Sequence, residues 1–193
     1  MGMKLREKTP VRKADVAHQK DYHAYREQLV SDFNHRCGYC DDRDAPRAAS
    51  FEIDHFVPQT IDGSKVTDYA NLVYACKSCN NAKRAKWPTV DKNIPNNGKV
   101  GWIDPCSKDY EAQFERLDDG KIHPLTDIGA WMYENLKLWK KQHEILWNCE
   151  RLEVNIDRLR ALSKQGKLPA EQKDSLILLY GQYVEVLKSF YRE

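Results

Sequence analysis

The sequence has no long hydrophobic run. Its longest unbroken aliphatic and aromatic stretch is Leu176 to Tyr180, against the roughly 20 residues that a membrane-spanning helix needs. The opening Met1-Gly2-Met3-Lys4-Leu5-Arg6 lacks the apolar centre of a signal peptide. Arg6 stands where a myristoylation site would carry Ser or Thr. Secretion, lipid anchoring and a membrane partner are therefore not expected, and a cytoplasmic location is. Nor is there a large excess of one charge. The 31 Lys and Arg against 29 Asp and Glu leave +2 with the histidines neutral, which argues against a free-standing, strongly basic nucleic-acid binder. Internal repeats and low-complexity tracts are also lacking. With 41% hydrophobic and 31% charged residues the composition is not that of a disordered chain. A length of 193 residues suits one domain, or one domain with an appended lobe.

What the chain does have is cysteine in a pattern. Of its six cysteines, four form two C-x-x-C pairs, Cys37/Cys40 and Cys76/Cys79. Each such turn aims two thiolates at one point, and two turns complete a tetrahedron around zinc. Disulfide or redox use of the same pairs is the alternative, disfavoured by a reducing compartment. The gap between the pairs is longer than in a simple zinc ribbon, so something else is built between them. Cys106 and Cys149 are expected to be buried free thiols.

Periodicity organises the rest. Residues 1–35 form a modestly basic arm and a helix over Asp21–Asn34, with Tyr22, Tyr25, Leu29, Val30 and Phe33 on one face. Phe51–Val57 alternates as a strand stopped by Pro58, and Asn71–Ala75 makes a second strand leading into Cys76. Asn80–Lys86 reads as a short helix. Residues 91–125 read as a linker, rich in Pro, Asn and Gly over 91–101, followed by a hairpin turning at Asp118-Asp119-Gly120. Residues 126–193 read as a helical lobe. Thr126 caps a helix running to about Lys164 with a break midway, and Ile145, Cys149, Leu152, Ile156 and Leu159 follow heptad-like spacing. After Gly166 and Pro169, Leu176, Tyr180, Tyr183, Leu187 and Phe190 repeat it, which predicts an antiparallel helical hairpin serving as a docking lobe.

The chemistry lies between the cysteine pairs. His55 is the only histidine there, and a neutral imidazole with a pKa near ~6.5 suits a general base at neutral pH. Asp54 precedes it, so on a regular strand the two side chains point to opposite faces. Both reach one site only if the strand bends. The run Asp54-His55-Phe56-Val57-Pro58, then Asn71, then Cys79-Asn80-Asn81-Ala82-Lys83 resembles the HNH endonucleases of the ββα-metal superfamily. The resemblance is strong over roughly residues 36–86. It implies an α+β fold: a ββα-metal core over 36–90 with four-cysteine zinc knuckles. It further implies that Asp54 and Asn80 hold a catalytic metal, that His55 activates water at a bent strand end, and that Asn71 orients the loop carrying the base. Asp54 and Asn80 are oxygen donors, which favours Mg²⁺ or Mn²⁺ for catalysis beside a structural Zn²⁺. Lys77, Lys83, Arg84 and Lys86 form an acid-free basic run beside this site, with Lys83 in the family's C-x-x-C-N-x-x-K position. They are expected to bind the phosphate backbone.

Plainer readings stand beside these. Asn80 is also a favoured helix cap, Asn71 a turn residue, and the basic run a solvated face. Glu52 shares a strand face with Asp54 but reads better as a structural acid than as a ligand. His18, His23, His35, His123 and His143 have no spacing that suggests a site. Trp131, Trp139 and Trp147 fall on one helical stripe, as core or partner surface. The function expected is a metal-dependent nuclease acting on nucleic acid, with DNA favoured. More loosely, the chain resembles the nuclease subunits that accompany ATPases in anti-phage systems such as Septu and some retrons. The alternatives are a non-catalytic zinc-stabilised DNA-binding or scaffold protein, and an RNase effector on the same fold.

Overall fold

The computed structural model describes residues 2–45 and 47–190. The chain starts with β1 (Met3–Lys4). A 3-10 turn over Tyr22–Tyr25, capped by the Asp21 side chain accepting from the His23 N–H, leads into α1 (Arg26–Asp32). Tyr25, Leu29 and Phe33 are buried along the expected face, each such side chain contributing about 1.5–3 kcal/mol of burial. Asn34 and His35 then take left-handed φ values of 53° and 60°, which ends the helix and turns the chain into the first knuckle. There Gly38 donates to the Tyr74 carbonyl at 2.8 Å. A Cβ on Gly38 would lie 2.7 Å from the Phe33 ring and 2.9 Å from Val73, so the close approach requires glycine.

β2 (Phe51–His55) pairs antiparallel with β3 (Leu72–Cys76), with Phe51 opposite Cys76 and His55 opposite Leu72. α2 (Lys77–Lys83) follows immediately. The α+β arrangement is the one the sequence implied. The helix starts three residues earlier than expected because the second knuckle is itself helical, and it stops where Arg84 takes φ 49°.

Within the stretch expected as linker and hairpin, residues 91–94 and 97–99 are exposed, and the core resumes at Gly101 and Trp102. Trp102 is 0% exposed and donates from Nε1 to the Lys86 carbonyl at 2.7 Å. Tyr110 and Phe114 are buried in the same core. β4 (Phe114–Arg116) and β5 (Ile122–Pro124) form the expected hairpin, and β1 adds to it in the order β1-β4-β5. The basic arm is therefore partly internal. Arg6 is buried, pairs with Glu111 at 2.7 Å and lies over the Tyr110 ring. Arg12 pairs with Asp104 at 2.9 Å and donates to the Leu72 carbonyl. Neither was legible, because a charged N-terminal stretch carries no sign of the carboxylates it will meet.

Thr126 caps α3 (Asp127–Leu136) by accepting from the Gly129 N–H, and Lys137 closes the helix at φ 57°. α3 packs within the first compact unit, which comprises residues 1–118 and 122–139. The helical stretch beginning at 126 is thus divided between two units. The tryptophans share no stripe. Trp131 stacks edge-on against Trp102, Trp139 lies exposed beyond α3, and Trp147 sits under Arg151 in the next helix.

The second unit comprises residues 119–121 and 140–193. It holds α4 (Lys141–Lys164) and α5 (Ala170–Phe190). Five residues including Gly166 at φ 67° and Pro169 join them, and so short a connection makes the pair antiparallel. Tyr183 donates to Glu153 at 2.6 Å across the seam. Cys149 and Ile156 are buried in α4 as expected. On α5, Leu176, Leu179, Tyr183, Val186 and Leu187 are half-buried, whereas Tyr180, expected in the seam, is exposed. Phe190, the last member of that series, has its side chain outside the described residues.

Candidate active site and metal centre

Two polar centres are built on the ββα segment. The first is the cysteine cluster. All four thiols are buried, and their sulfurs lie within 4.8 Å of one another, with Cys40 and Cys76 3.8 Å apart. A zinc tetrahedron with metal–sulfur bonds near 2.3 Å has sulfur–sulfur edges of about 3.8 Å, so the spacing fits. All six cysteines are free thiols, and a disulfide would need sulfurs near 2.05 Å. Burial pushes the Cys40 thiol up; four thiolates gathered here would repel one another without a dication to hold them. The knuckle backbone is fixed from outside. Arg6 donates to the Gly38 carbonyl at 3.1 Å, Tyr110 to that of Tyr39 at 2.7 Å, and Arg116 to that of Cys40 at 2.9 Å. These three side chains explain why the segments on both sides of the zinc pairs fold into one core.

The second centre surrounds Asp54 and His55 at the other end of the strand pair. Both are buried, and their side chains face different neighbours. The Asp54 carboxylate accepts from Tyr39 at 2.5 Å and pairs with the Lys83 ammonium at 3.0 Å. Burial, and then the Asp54 charge, push the Tyr39 phenol well above its usual value, so Tyr39 stays a donor. Lys83 is 0% exposed and also donates to the His55 carbonyl at 2.8 Å. This corrects its expected place on the phosphate-binding surface: Lys83 is an internal counter-ion fastening α2 to β2.

The His55 ring is held from its far side. Nε2 lies 2.9 Å from the Val66 carbonyl, which only accepts, so this nitrogen carries the proton. Nδ1 is left with a lone pair, and the Gln59 amide donates to it at 3.1 Å. Tyr22 packs edge-on against the ring at 4.7 Å. Asn71 fixes the loop beyond. Its Oδ1 accepts from the Val57 N–H at 2.8 Å, and its Nδ2 donates to the carbonyls of Val57 and Lys65.

Asn80 lies inside α2, whose cap is Cys76, so it is not the helix cap that the plainer reading made it. Its Nδ2 donates to Glu52 at 2.6 Å rather than to Asp54. Glu52 and Asp54 share one face of β2, and Asn80 and Lys83 share one face of α2. Two polar rungs, Glu52–Asn80 and Asp54–Lys83, join the elements. The Glu52 rung turns Asn80 Oδ1 away as a free acceptor. Asp54 and Asn80 offer oxygen donors, the ligand type that a hard divalent cation takes. Lys83 is the internal cation such an ion would meet. Lys77, Arg84 and Lys86 are exposed. Tyr39, Gln59, Val66 and the internal role of Lys83 had no motif to reveal them; only the tertiary contacts do.

Residues 37–86 match the family model described as HNH endonuclease. The segment that carries both centres is thus an HNH endonuclease domain. Over a wider stretch, the chain is similar to the Septu protein PtuB of Bacillus thuringiensis, 34% identical over 139 residues, which is 67% of this chain and 53% of that protein. The chain therefore spans about half the length of this relative. Among the described residues, no helix is long and apolar enough to cross a membrane.

Proposed function

We propose that the chain is a metal-dependent endonuclease that hydrolyses phosphodiester bonds of nucleic acid, with DNA as the favoured substrate. The observation that carries this reading is the state of His55. Its Nε2–H is engaged by the Val66 carbonyl, so Nδ1 is the basic atom, and His55 directly follows the oxygen donor Asp54 at the end of β2. Nδ1 takes a proton from the attacking water. Gln59 yields its position on Nδ1 to that water, and Val66 keeps the ring oriented as it becomes cationic. Asn71 holds the loop that presents both. Asp54 and Asn80 would hold Mg²⁺ or Mn²⁺, which would supply positive charge against the charge developing on the phosphate and leaving oxygen. Cys37, Cys40, Cys76 and Cys79 hold a structural Zn²⁺. Lys77, Arg84 and Lys86 bind the backbone. Similarity to a Septu protein supports a place in an anti-phage defence complex, and the looser resemblance to nuclease subunits that accompany ATPases makes an ATPase the proposed partner. The exposed Ile177, Leu178, Tyr180 and Val184 on α5 support a docking role for the hairpin.

The test is His55→Ala against Asp54→Ala, assayed on duplex DNA, single strands and tRNA with and without the partner. His55→Ala is expected to lose at least the ~10²–10⁴-fold that a general base contributes, keeping its zinc and its binding. Asp54→Ala is expected to recover partly in excess Mg²⁺ or Mn²⁺, and His55→Ala is not. Full activity in His55→Ala would place the base elsewhere. Preferential cutting of tRNA would make the chain an RNase effector. One rival has an observation of its own: Lys83 and Tyr39 already satisfy Asp54, as suits a non-catalytic zinc-stabilised scaffold. No metal-dependent hydrolysis of any of the three substrates would decide for it.

A further inference from the structure

We infer that Arg84, Lys86 and Lys137 form one clamp for the phosphodiester backbone, built from the C-terminal ends of α2 and α3. The inference rests on the nuclease reading and deepens it: Lys137 lies far outside the HNH segment and supplies a third arm. No Asp or Glu occurs between Lys77 and Val90. Among the described residues, none of the three cations has a carboxylate partner. They are also close together. Lys86 donates from Nζ to the Asn135 carbonyl at 3.2 Å, in the last turn of α3. Partial burial, and then the charges of Lys137 and Arg84, lower its pKa.

A single basic residue at a helix C-terminus needs no function, because it complements the helix dipole. Three unpaired cations that repel one another are a different case, since each addition beyond the first works against the fold. The backbone makes the same point. Arg84 is held at φ 49°, ψ −139°, a region natural to glycine, and Lys137 at φ 57°, ψ 45°. At both helix ends the position that glycine fills most easily holds a long cation. Arg84 directly follows Lys83, which grips the His55 carbonyl. A backbone lying across the clamp therefore passes beside the proposed base. In a chain of net charge +2, this concentrates positive charge where a polyanion must lie.

The experiment measures binding of the full-length His55→Ala chain to labelled duplex DNA by fluorescence anisotropy across a salt series. A parallel arm uses RNA of matched length. Arg84→Gly and Lys137→Gly are each added to that background. Both relieve a positive-φ backbone, so the melting temperature is expected to hold or rise. Binding is expected to weaken several-fold at moderate salt, with the slope of log affinity against log salt falling by about one per cation removed. A merely structural role predicts the thermal change with no change in slope. Unchanged affinity and slope in Lys137→Gly overturns the clamp, as does failure of the parent to bind either polymer at low salt. The nuclease reading is judged separately, by cleavage with the unsubstituted chain, so the two can fail independently.

Discussion

The cysteine centre and the Asp54–His55 centre occupy opposite ends of one strand pair, because Phe51 faces Cys76 and His55 faces Leu72. At the first, four soft donors converge and the surrounding side chains hold only the knuckle backbone. At the second, each candidate side chain already has a protein partner: Lys83 and Tyr39 for Asp54, Val66 and Gln59 for His55, Glu52 for Asn80, Val57 for Asn71. The first centre has the donor set of a zinc site, so its folding is expected to depend on a bound metal. The second is held in shape by protein contacts alone, which would pre-position its groups for the proposed catalysis.

The largest effect should come from breaking the first centre. Cys76→Ser removes a ligand from a site whose metal contributes apparent binding energy on the order of 10 kcal/mol or more to folding. Loss of zinc by elemental analysis, together with loss of cooperative unfolding, is the expected result. Zinc-free wild-type protein that melts cooperatively, or that carries oxidised cysteines, would erase the contrast between the centres.

A smaller effect separates the internal cation from the external one. Lys83→Met leaves Asp54 buried without its counter-ion, a change that costs about 3–5 kcal/mol when a buried pair is broken from one side. For a chain of this size that lowers the melting temperature by roughly 6–20 °C. Mg²⁺ should then restore part of the loss, because a dication on Asp54 replaces the missing charge. The wild-type chain, with Lys83 in place, should respond less. Equal responses to Mg²⁺ in thermal melts would mean that the ion does not bind at Asp54.

What was legible follows from how far each signal reaches along the chain. The four cysteines, Asp54, His55, Asn71 and Asn80 lie in a short stretch with fixed spacing, and local pattern suffices to place them near one another. Lys83 sits in a run of cations that looks like any solvated helix face; only packing of α2 on β2 reveals that it points inward beneath Trp102. Residues 91–101 have the composition of a linker and are mostly exposed; only the tertiary contact by which Trp102 reaches the Lys86 carbonyl shows that the core resumes directly after them. Arg6 and Arg116 look like ordinary surface charges until the β1-β4-β5 sheet delivers them to the knuckle carbonyls. On α5 the heptad pattern located the seam but misplaced Tyr180, because an apolar stripe two residues wide fits the partner in more than one rotation.

The smallest expected effect is the one that sharpens the second centre most. Glu52 touches no proposed substrate atom, yet it accepts from Asn80 Nδ2 at 2.6 Å and so decides which end of that amide is free. Glu52→Ala removes one partly buried hydrogen bond, worth about 1 kcal/mol of stability, so the fold should survive. Without its anchor the Asn80 amide can rotate, and the oxygen is no longer held toward the cation position. Loss of a group that orients a metal ligand typically costs about 10–100-fold in metal affinity or activity. Titration of activity with Mg²⁺ should therefore shift to higher concentration, with the rate at saturation largely kept. Glu52→Gln discriminates the mechanism, because a Gln carbonyl still accepts from Nδ2 while its charge is gone. Recovery in Glu52→Gln identifies Glu52 as the residue that positions Asn80. If Glu52→Gln is as impaired as Glu52→Ala, the carboxylate charge itself is required and Glu52 binds the ion directly.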